Sequence, residues 1–104
     1  MEDFGKMHIL YVEDDAPSGR LLQSIAQAAG YDVHVVGTGR EFLVALANEK
    51  PDVLIVDLHL PDVSGLDLVA KARQRLPDTP ALVVTASNAV DDAVKAIQAS
   101  AIDY

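Results

Sequence analysis

Short runs of β-branched residues alternate along the chain with longer stretches whose apolar residues recur at helical spacing. Two of the short runs are apolar without alternation, which is typical of strands that are covered on both faces. The pattern predicts four strands, at His8–Val12, residues 33–36, residues 53–56 and Ala81–Val84, and the start of a fifth at residues 102–104. These strands are expected to form the centre of the fold.

The first amphipathic stretch has signals for both ends of a helix. Asp15 is a candidate N-cap, Pro17 suits the first turn, and Gly30 suits the position just after a helix. The spacing therefore predicts a helix over about residues 16–29. Its apolar stripe is predicted to consist of Leu21, Leu22 and Ile25.

Three further helices are predicted from their end signals. Thr38 and Glu41 form a capping-box pattern at the start of the second helix, which Pro51 ends. Ser64 precedes the third, and Asp67 follows in its first turn, where the helix dipole favours negative charge. The fourth spans about residues 89–100.

The order of elements is therefore βαβαβαβαβ, which predicts an α/β fold. Strands that are joined by helical crossovers are parallel, and the crossovers are right-handed. We expect an open parallel sheet in the flavodoxin-like order 2-1-3-4-5, with helices on both faces. No linker or repeat interrupts the pattern, so residues 1–104 are expected to form a single domain whose last strand and closing helix are incomplete.

Composition narrows the possible partners. Eight basic against 16 acidic side chains give a net charge of −8, which argues against direct binding to nucleic acid or to an anionic membrane surface. Cysteine is absent, which excludes disulfides and thiolate chemistry. The sequence has no run suited to a membrane span or a signal peptide. A cytoplasmic location is therefore expected.

Acidic residues follow two of the predicted strands at the end where ligands bind in such sheets. Glu13 and Asp14 follow the first strand and Asp57 follows the third, which the order 2-1-3-4-5 makes neighbours. Three carboxylates in one crevice repel one another, and oxygen ligands suit Mg²⁺. A carboxylate can also act as a nucleophile and form an aspartyl-phosphate, for which Asp57 is the candidate. Thr85, after the fourth strand, could donate to a phosphoryl oxygen.

Each of these residues also has an ordinary structural interpretation. An aspartate after a strand usually shapes a turn, an acidic run before a helix is usually solvated, and threonine is a common strand residue. His59 is expected to be an ordinary exposed loop histidine, an interpretation that we favour over a metal-binding role for its side chain. The functional interpretation rests on the convergence of all the candidates at adjacent strand ends.

Four blocks of the chain resemble the receiver domain of two-component response regulators. The stretch from Asp57 to Leu66 is the most specific, with Pro61 four residues and Gly65 eight residues after the aspartate. The other blocks are residues 9–15, residues 84–86 and residues 101–104, and all four stand in the family's order.

The resemblance implies a role for each residue of the site. Asp57 would accept the phosphoryl group and ligate Mg²⁺, and Asp14 would be a second direct ligand. Glu13 would act on the ion through a coordinated water, and the backbone carbonyl of His59 would complete the protein ligands.

The resemblance also implies a conformational switch. Thr85 would contact the phosphoryl group, and Tyr104 would be the aromatic side chain that changes rotamer in response. The side chains of His59 and Ser87 would tune the lifetime of the phosphoryl group. Pro61 and Gly65 would shape the loop below the site.

The implied function is a signalling module controlled by phosphorylation, with a histidine kinase or histidine phosphotransfer protein as donor and an output domain or downstream protein as reader. The domain would catalyse only its own phosphorylation and dephosphorylation, so it is a weak candidate for an enzyme. The family usually has a lysine shortly after the position of Tyr104, and this chain ends before it. None of the four lysines matches that position, so the chain is expected to be a fragment.

Two other functions remain open from the residues. The first is a receiver-like interaction module that is never phosphorylated. The second is a phosphohydrolase with an aspartyl nucleophile. Such enzymes usually carry a second catalytic aspartate two residues after the nucleophile, and His59 occupies that place here.

Overall fold

A computed structural model describes residues 7–84 of the chain. In this range strands and helices alternate without exception, as the hydrophobic pattern predicts. The elements are β1 (His8–Val12), α1 (Ala16–Ala28), β2 (Asp32–Val36), α2 (Gly39–Asn48), β3 (Val53–Asp57), α3 (Gly65–Arg75) and β4 (Ala81–Val84). The predicted fourth helix and fifth strand lie outside the described residues.

The strand bounds differ little from those expected. β1 and β4 match the prediction, β2 begins one residue earlier at Asp32, and β3 includes Asp57 at its end. The last difference bears on function, because it makes the candidate nucleophile part of the strand rather than of the loop.

The four strands form one parallel sheet in the order β2-β1-β3-β4, which confirms the predicted order over the described strands. In this sheet β1 lies between β2 and β3, and Val12 is in register with both Val36 and Val56. The residues that directly follow, Glu13 and Asp57, therefore emerge side by side.

Apolar side chains cover the sheet on both faces. This is expected for strands whose apolar residues do not alternate with polar ones. One core packs between the sheet and α1, and its buried members are Ile9, Tyr11, Leu22, Ala26, Val33, Ile55 and Val84. The other packs between the sheet and the pair α2 and α3, and it is built around Leu10, Val12, Phe42, Leu46, Leu54, Val56 and Leu68. Leu60 and Val63, in the loop that follows β3, are partly buried against this second core.

The three described helices begin at the predicted capping residues. The Asp15 carboxylate accepts a hydrogen bond from the Ser18 N–H at the start of α1, and Thr38 Oγ1 accepts one from the Glu41 N–H at the start of α2. Ser64 caps α3 through the Leu66 N–H. Gly30 follows α1 with φ of +95°, a conformation that residues with a side chain rarely adopt.

The predicted stripe of α1 is partly wrong, because Leu21 is 52% exposed. The helix instead buries Gly19, Leu22 and Ala26, which are spaced by three and four residues and so lie on one face. A side chain one residue before Leu22 is rotated by about 100° from that face. Within residues 7–84, no helix has the length and apolar character that a membrane crossing requires.

Candidate metal and phosphoryl site

Three carboxylates converge where β1 and β3 end. One ligand oxygen from each of Glu13, Asp14 and Asp57 can be chosen so that all three lie within 4.8 Å of one another. Glu13 and Asp57 are buried, with 6% and 5% of their surface exposed, whereas Asp14 is exposed. The cluster therefore has an interior side, formed by two buried acids, and a side open to solvent.

The Glu13 carboxylate is held from two directions. The Tyr11 hydroxyl donates to Glu13 Oε1 at 2.8 Å, and the Asp15 N–H donates to Oε2 at 3.2 Å. Tyr11 and Glu13 are two residues apart on an extended backbone, which places them on the same face. The buried Tyr11 hydroxyl thereby gains the partner that a buried polar group requires.

Burial raises the pKa of Glu13 to about 7, because the charged form loses its hydration. The two hydrogen bonds to its oxygens favour the charged form, while the neighbouring Asp57 carboxylate disfavours it. Burial and the nearby Glu13 charge also raise the pKa of the Tyr11 phenol, which keeps this hydroxyl a donor. A cation between the carboxylates would favour the ionised form of Glu13.

Asp57 is positioned by the backbone on either side of it. Its Oδ1 accepts a hydrogen bond of 3.0 Å from the His59 N–H, and the Leu58 N–H donates to the Val84 carbonyl of β4. Gly65 lies directly against this turn: a Cβ atom there would be 2.5 Å from the Asp57 carbonyl oxygen and 2.7 Å from Leu58 Cα. A side chain at Gly65 would therefore displace the backbone that carries Asp57.

The loop from β3 to α3 forms one wall of the site. His59 and Ser64 are joined by an isolated antiparallel bridge, and the segment between them curves around an open depression of about 500 Å³. Asp14 lines this depression together with the loop. The His59 side chain is exposed.

Asp62 has a positioning role that the sequence analysis missed. Its two carboxylate oxygens accept hydrogen bonds from the Gly39 N–H (3.0 Å) and the Arg40 N–H (3.1 Å), at the start of α2. The pKa of Asp62 is lowered chiefly by the first of these bonds. The carboxylate caps a helix that begins 23 residues earlier in the chain. Capping patterns in a sequence are local, so the sequence showed Asp62 only as an acidic residue in a loop. The cap ties the wall of the site to α2.

No lysine or arginine among residues 7–84 forms an ion pair with the three clustered carboxylates, since the ion pairs of this part of the chain all involve histidine. Like charges in close proximity are therefore left without a compensating side chain in the described structure. An all-oxygen donor set of this kind suits a hard cation, and the acidic cluster could hold a metal ion. Thr85, Ser87 and Tyr104, the other predicted site residues, lie outside the described residues.

Comparison with known families decides what kind of domain carries this site. Residues 9–104 match the family model described as the response regulator receiver domain. The chain belongs to this family. Membership makes it a domain of the kind that works in phosphorylation-controlled two-component signalling, and it supports the interpretation drawn from the four sequence blocks over that of a phosphohydrolase.

The receiver domain has curated relatives among bacterial regulators. It is 34% identical over 93 residues to the regulatory protein LuxO of Vibrio cholerae and 39% identical over 97 residues to the DNA-binding transcriptional regulator NtrC of Escherichia coli. These matches cover 89% and 92% of the chain, but only 20% and 21% of the two relatives. The chain thus spans about a fifth of the length of these proteins.

Solved receiver structures have the same fold. A CheY-like receiver domain protein from Methanospirillum hungatei matches with a TM-score of 0.76 and 28% identity, covering 89% of this chain and 76% of that one. The signal receiver domain of a LuxO repressor protein from Vibrio parahaemolyticus matches with a TM-score of 0.72 and 34% identity, covering 89% and 72%. The response regulator TrrA of Thermotoga maritima, solved in complex with Mg²⁺ and a beryllium fluoride, matches with a TM-score of 0.73 and 26% identity, covering 88% and 80%.

Proposed function

We propose that this receiver domain accepts a phosphoryl group on Asp57 from a phosphohistidine of a histidine kinase or histidine phosphotransfer protein. The observation that carries the proposal is the convergence of Glu13, Asp14 and Asp57 at the ends of two adjacent parallel strands. Family membership supports it, because all three residues lie within the range that matches the receiver-domain model.

The chemistry required of Asp57 is a displacement at phosphorus. A carboxylate oxygen forms a bond to the phosphorus atom, the phosphorus–nitrogen bond of the donor breaks, and the donor's imidazole leaves. Asp57 is suited to this role because its backbone lies in a strand and its Oδ1 is oriented by the His59 N–H. Such fixed geometry removes much of the entropic cost of bringing the two reactants together.

We propose Mg²⁺ as the ion of the acidic cluster. Asp14 and Asp57 would be direct carboxylate ligands, the His59 carbonyl a third, and Glu13 a partner through water. The ion would neutralise charge as an anionic phosphoryl group approaches an anionic carboxylate. The all-oxygen donor set and the open side at Asp14 fit an ion that retains several waters. TrrA, a receiver of the same fold, is known with Mg²⁺ and a beryllium fluoride.

Phosphorylation would act on a partner through a shift between two conformations. We propose that Thr85 contacts the phosphoryl group and that Tyr104 responds, and that an output domain or a downstream protein in the cytoplasm reads the change. The partial coverage of LuxO and NtrC supports this, because those relatives contain long stretches of chain that the receiver does not account for.

The assignment of Asp57 as the acceptor is tested by phosphorylating the full-length protein with a small phosphodonor in the presence of Mg²⁺. The expected product is one acid-stable, base-labile phosphoryl group, detected by intact mass, which Asp57→Asn abolishes. Asp78→Asn is the matched control, because Asp78 is an exposed carboxylate outside the cluster and the substitution changes the charge equally. An adduct that persists in Asp57→Asn would disprove the assignment of the acceptor. No adduct in the wild-type protein, with either a small donor or a phosphohistidine protein, would favour an interaction module that is never phosphorylated.

A further inference from the structure

A second cluster of ionisable side chains lies at the opposite end of the sheet from the acidic site. It joins His8, the first residue of β1, to Asp32, the first residue of β2, and to Glu49, the residue that follows α2. His8 Nδ1 lies 3.2 Å from Asp32 Oδ2, and His8 Nε2 lies 2.8 Å from Glu49 Oε1. His34 of β2 approaches the same glutamate, with Nδ1 at 2.6 Å from Oε2. The receiver function proposed above uses none of these residues.

The two contacts of His8 place different demands on its neutral and its protonated ring. A neutral imidazole has one N–H and one lone pair, whereas an imidazolium has two N–H groups. Both ring nitrogens of His8 face a carboxylate oxygen, and ionised carboxylates only accept hydrogen bonds. A neutral ring would set a nitrogen lone pair against one of these oxygens. The geometry is therefore satisfied in full only when His8 carries a second proton. His34 makes a single such contact and can satisfy it while neutral.

We propose that His8, Asp32 and Glu49 form a proton-dependent clasp, in which a doubly protonated His8 holds the start of β2 and the end of α2 against the start of β1. Glu49 is shared with His34, so the clasp also includes a second residue of β2. Loss of the proton leaves His8 one donor for two carboxylates, so one contact must break.

The charges around His8 favour the proton. Burial by itself lowers the pKa of His8, but the hydrogen bonds and charges of Glu49 and Asp32 outweigh this and raise the pKa above its usual value of 6.5. Asp52, before β3, accepts a hydrogen bond from the His8 backbone N–H at 2.8 Å and adds a third carboxylate nearby. On the α2 side, Arg40 and Glu41 line the same groove as His34 and Glu49, and they are opposite in charge.

The contact to Asp32 is the one expected to break. The Asp32 side chain is 58% exposed and its contact is the longer one, while the Glu49 side chain is 25% exposed. Water therefore competes more effectively for Asp32. We expect neutral His8 to keep its proton on Nε2, bonded to Glu49, and to release the start of β2, the outer strand of the described sheet.

The raised pKa of His8 makes its contribution to stability depend on pH. Because the pKa of folded His8 is raised, its contribution to stability is complete below 6.5 and is lost as the pH rises through the folded value. The clasp therefore strengthens in mildly acidic conditions and loosens in alkaline ones. We take the occupant to be a proton, because within residues 7–84 the one group of three or more candidate ligand atoms that all lie within 4.8 Å of one another is that of Glu13, Asp14 and Asp57.

The test measures the protonation state and tautomer of the histidine rings by long-range ¹H–¹⁵N NMR of the full-length protein between pH 5 and 9. At pH 6 we expect His8 as an imidazolium, and at pH 9 as the Nε2–H tautomer. Glu49→Gln should lower the proton affinity of His8 by about twofold to fivefold, the range of a partly exposed ion pair. Asp78→Asn, which changes the net charge equally at an exposed site, should leave it unchanged.

A second measurement tests whether loss of the His8 proton releases the start of β2. After correction for intrinsic rates, hydrogen exchange of the β2 amides should accelerate from pH 6 to pH 8 by more than that of the β3 amides, and His8→Gln should remove this difference. The proposal is overturned if His8 is neutral at pH 6, or if Glu49→Gln and Asp78→Asn shift its titration equally. It is also overturned if equimolar Zn²⁺ at pH 7 binds the His8 and His34 rings, since a metal ion would then be the natural occupant.

Discussion

The Tyr11 hydroxyl donates a hydrogen bond of 2.8 Å to Glu13 Oε1, and both residues are buried at the carboxyl end of β1. The bond links the α1-side core to the acidic cluster, because the Tyr11 ring packs among Ile9, Leu22 and Ile55. Two neighbours therefore act on the ionisation of Glu13 in opposite directions. The Tyr11 phenol favours the charged form of its carboxyl group, and the Asp57 carboxylate disfavours it.

Replacing Tyr11 with phenylalanine should weaken the binding of a cation by the cluster. The change removes a donor to the Glu13 carboxylate and leaves the ring in place, so the pKa of Glu13 should rise further above about 7. Loss of a hydrogen bond to a buried charged group should also lower the free energy of unfolding by about 1–3 kcal/mol. Titration with Mg²⁺ at pH 7, followed by amide NMR, measures the first effect, and urea unfolding measures the second. Unchanged Mg²⁺ affinity would show that the phenol does not support the site.

The stability of the metal-free domain should fall as the pH rises from about 5 to 8. Glu13 has a pKa of about 7 in the folded protein against a usual value of 4.5, so it binds a proton more tightly when folded. Its stabilising contribution is complete below 4.5 and is lost as the pH passes about 7. The loss should be on the order of 1–3 kcal/mol and should be reduced by Mg²⁺.

The control for this pH dependence is Glu13→Gln, which cannot ionise. His8 contributes to the pH dependence in the same direction, so the relevant quantity is the difference in urea unfolding free energy between wild type and Glu13→Gln at each pH. This difference should change with pH when Mg²⁺ is absent. A constant difference across the range would contradict the raised pKa.

Gly65→Ala should displace the backbone at Asp57 while leaving the Asp57 side chain unaltered. The new Cβ would lie 2.5 Å from the Asp57 carbonyl oxygen, and the opposing atoms are backbone, which cannot rotate away. We expect the free energy of unfolding to fall by about 1–3 kcal/mol and phosphorylation of Asp57 to slow. Gly37→Ala is the matched control, since its Cβ would meet only the Glu41 carboxylate, at an ordinary 3.5 Å. Equal behaviour of the two variants would show that the close approach at Gly65 is unimportant.

The acidic site was largely predictable because its residues lie at the end of a strand or just after one. Two unalternating apolar runs identify buried parallel strands, and the order 2-1-3-4 makes β1 and β3 neighbours. Convergence of Glu13, Asp14 and Asp57 is then a consequence of the topology. The Tyr11 hydrogen bond and the Asp62 cap of α2 were not anticipated. Both depend on where a side chain is aimed, and Asp62 caps a helix that is distant in the chain.

The sequence by itself determined the element order, the capping residues Asp15, Thr38 and Ser64, and the parallel sheet, because each depends on local backbone preferences and on the period of apolar residues. Only the tertiary structure decided the raised pKa of Glu13, the close approach of Gly65 to Asp57, and the contacts of His8 with two carboxylates. The physical reason is that burial and charge pairing are set by distances between residues far apart in the chain, which no local pattern encodes.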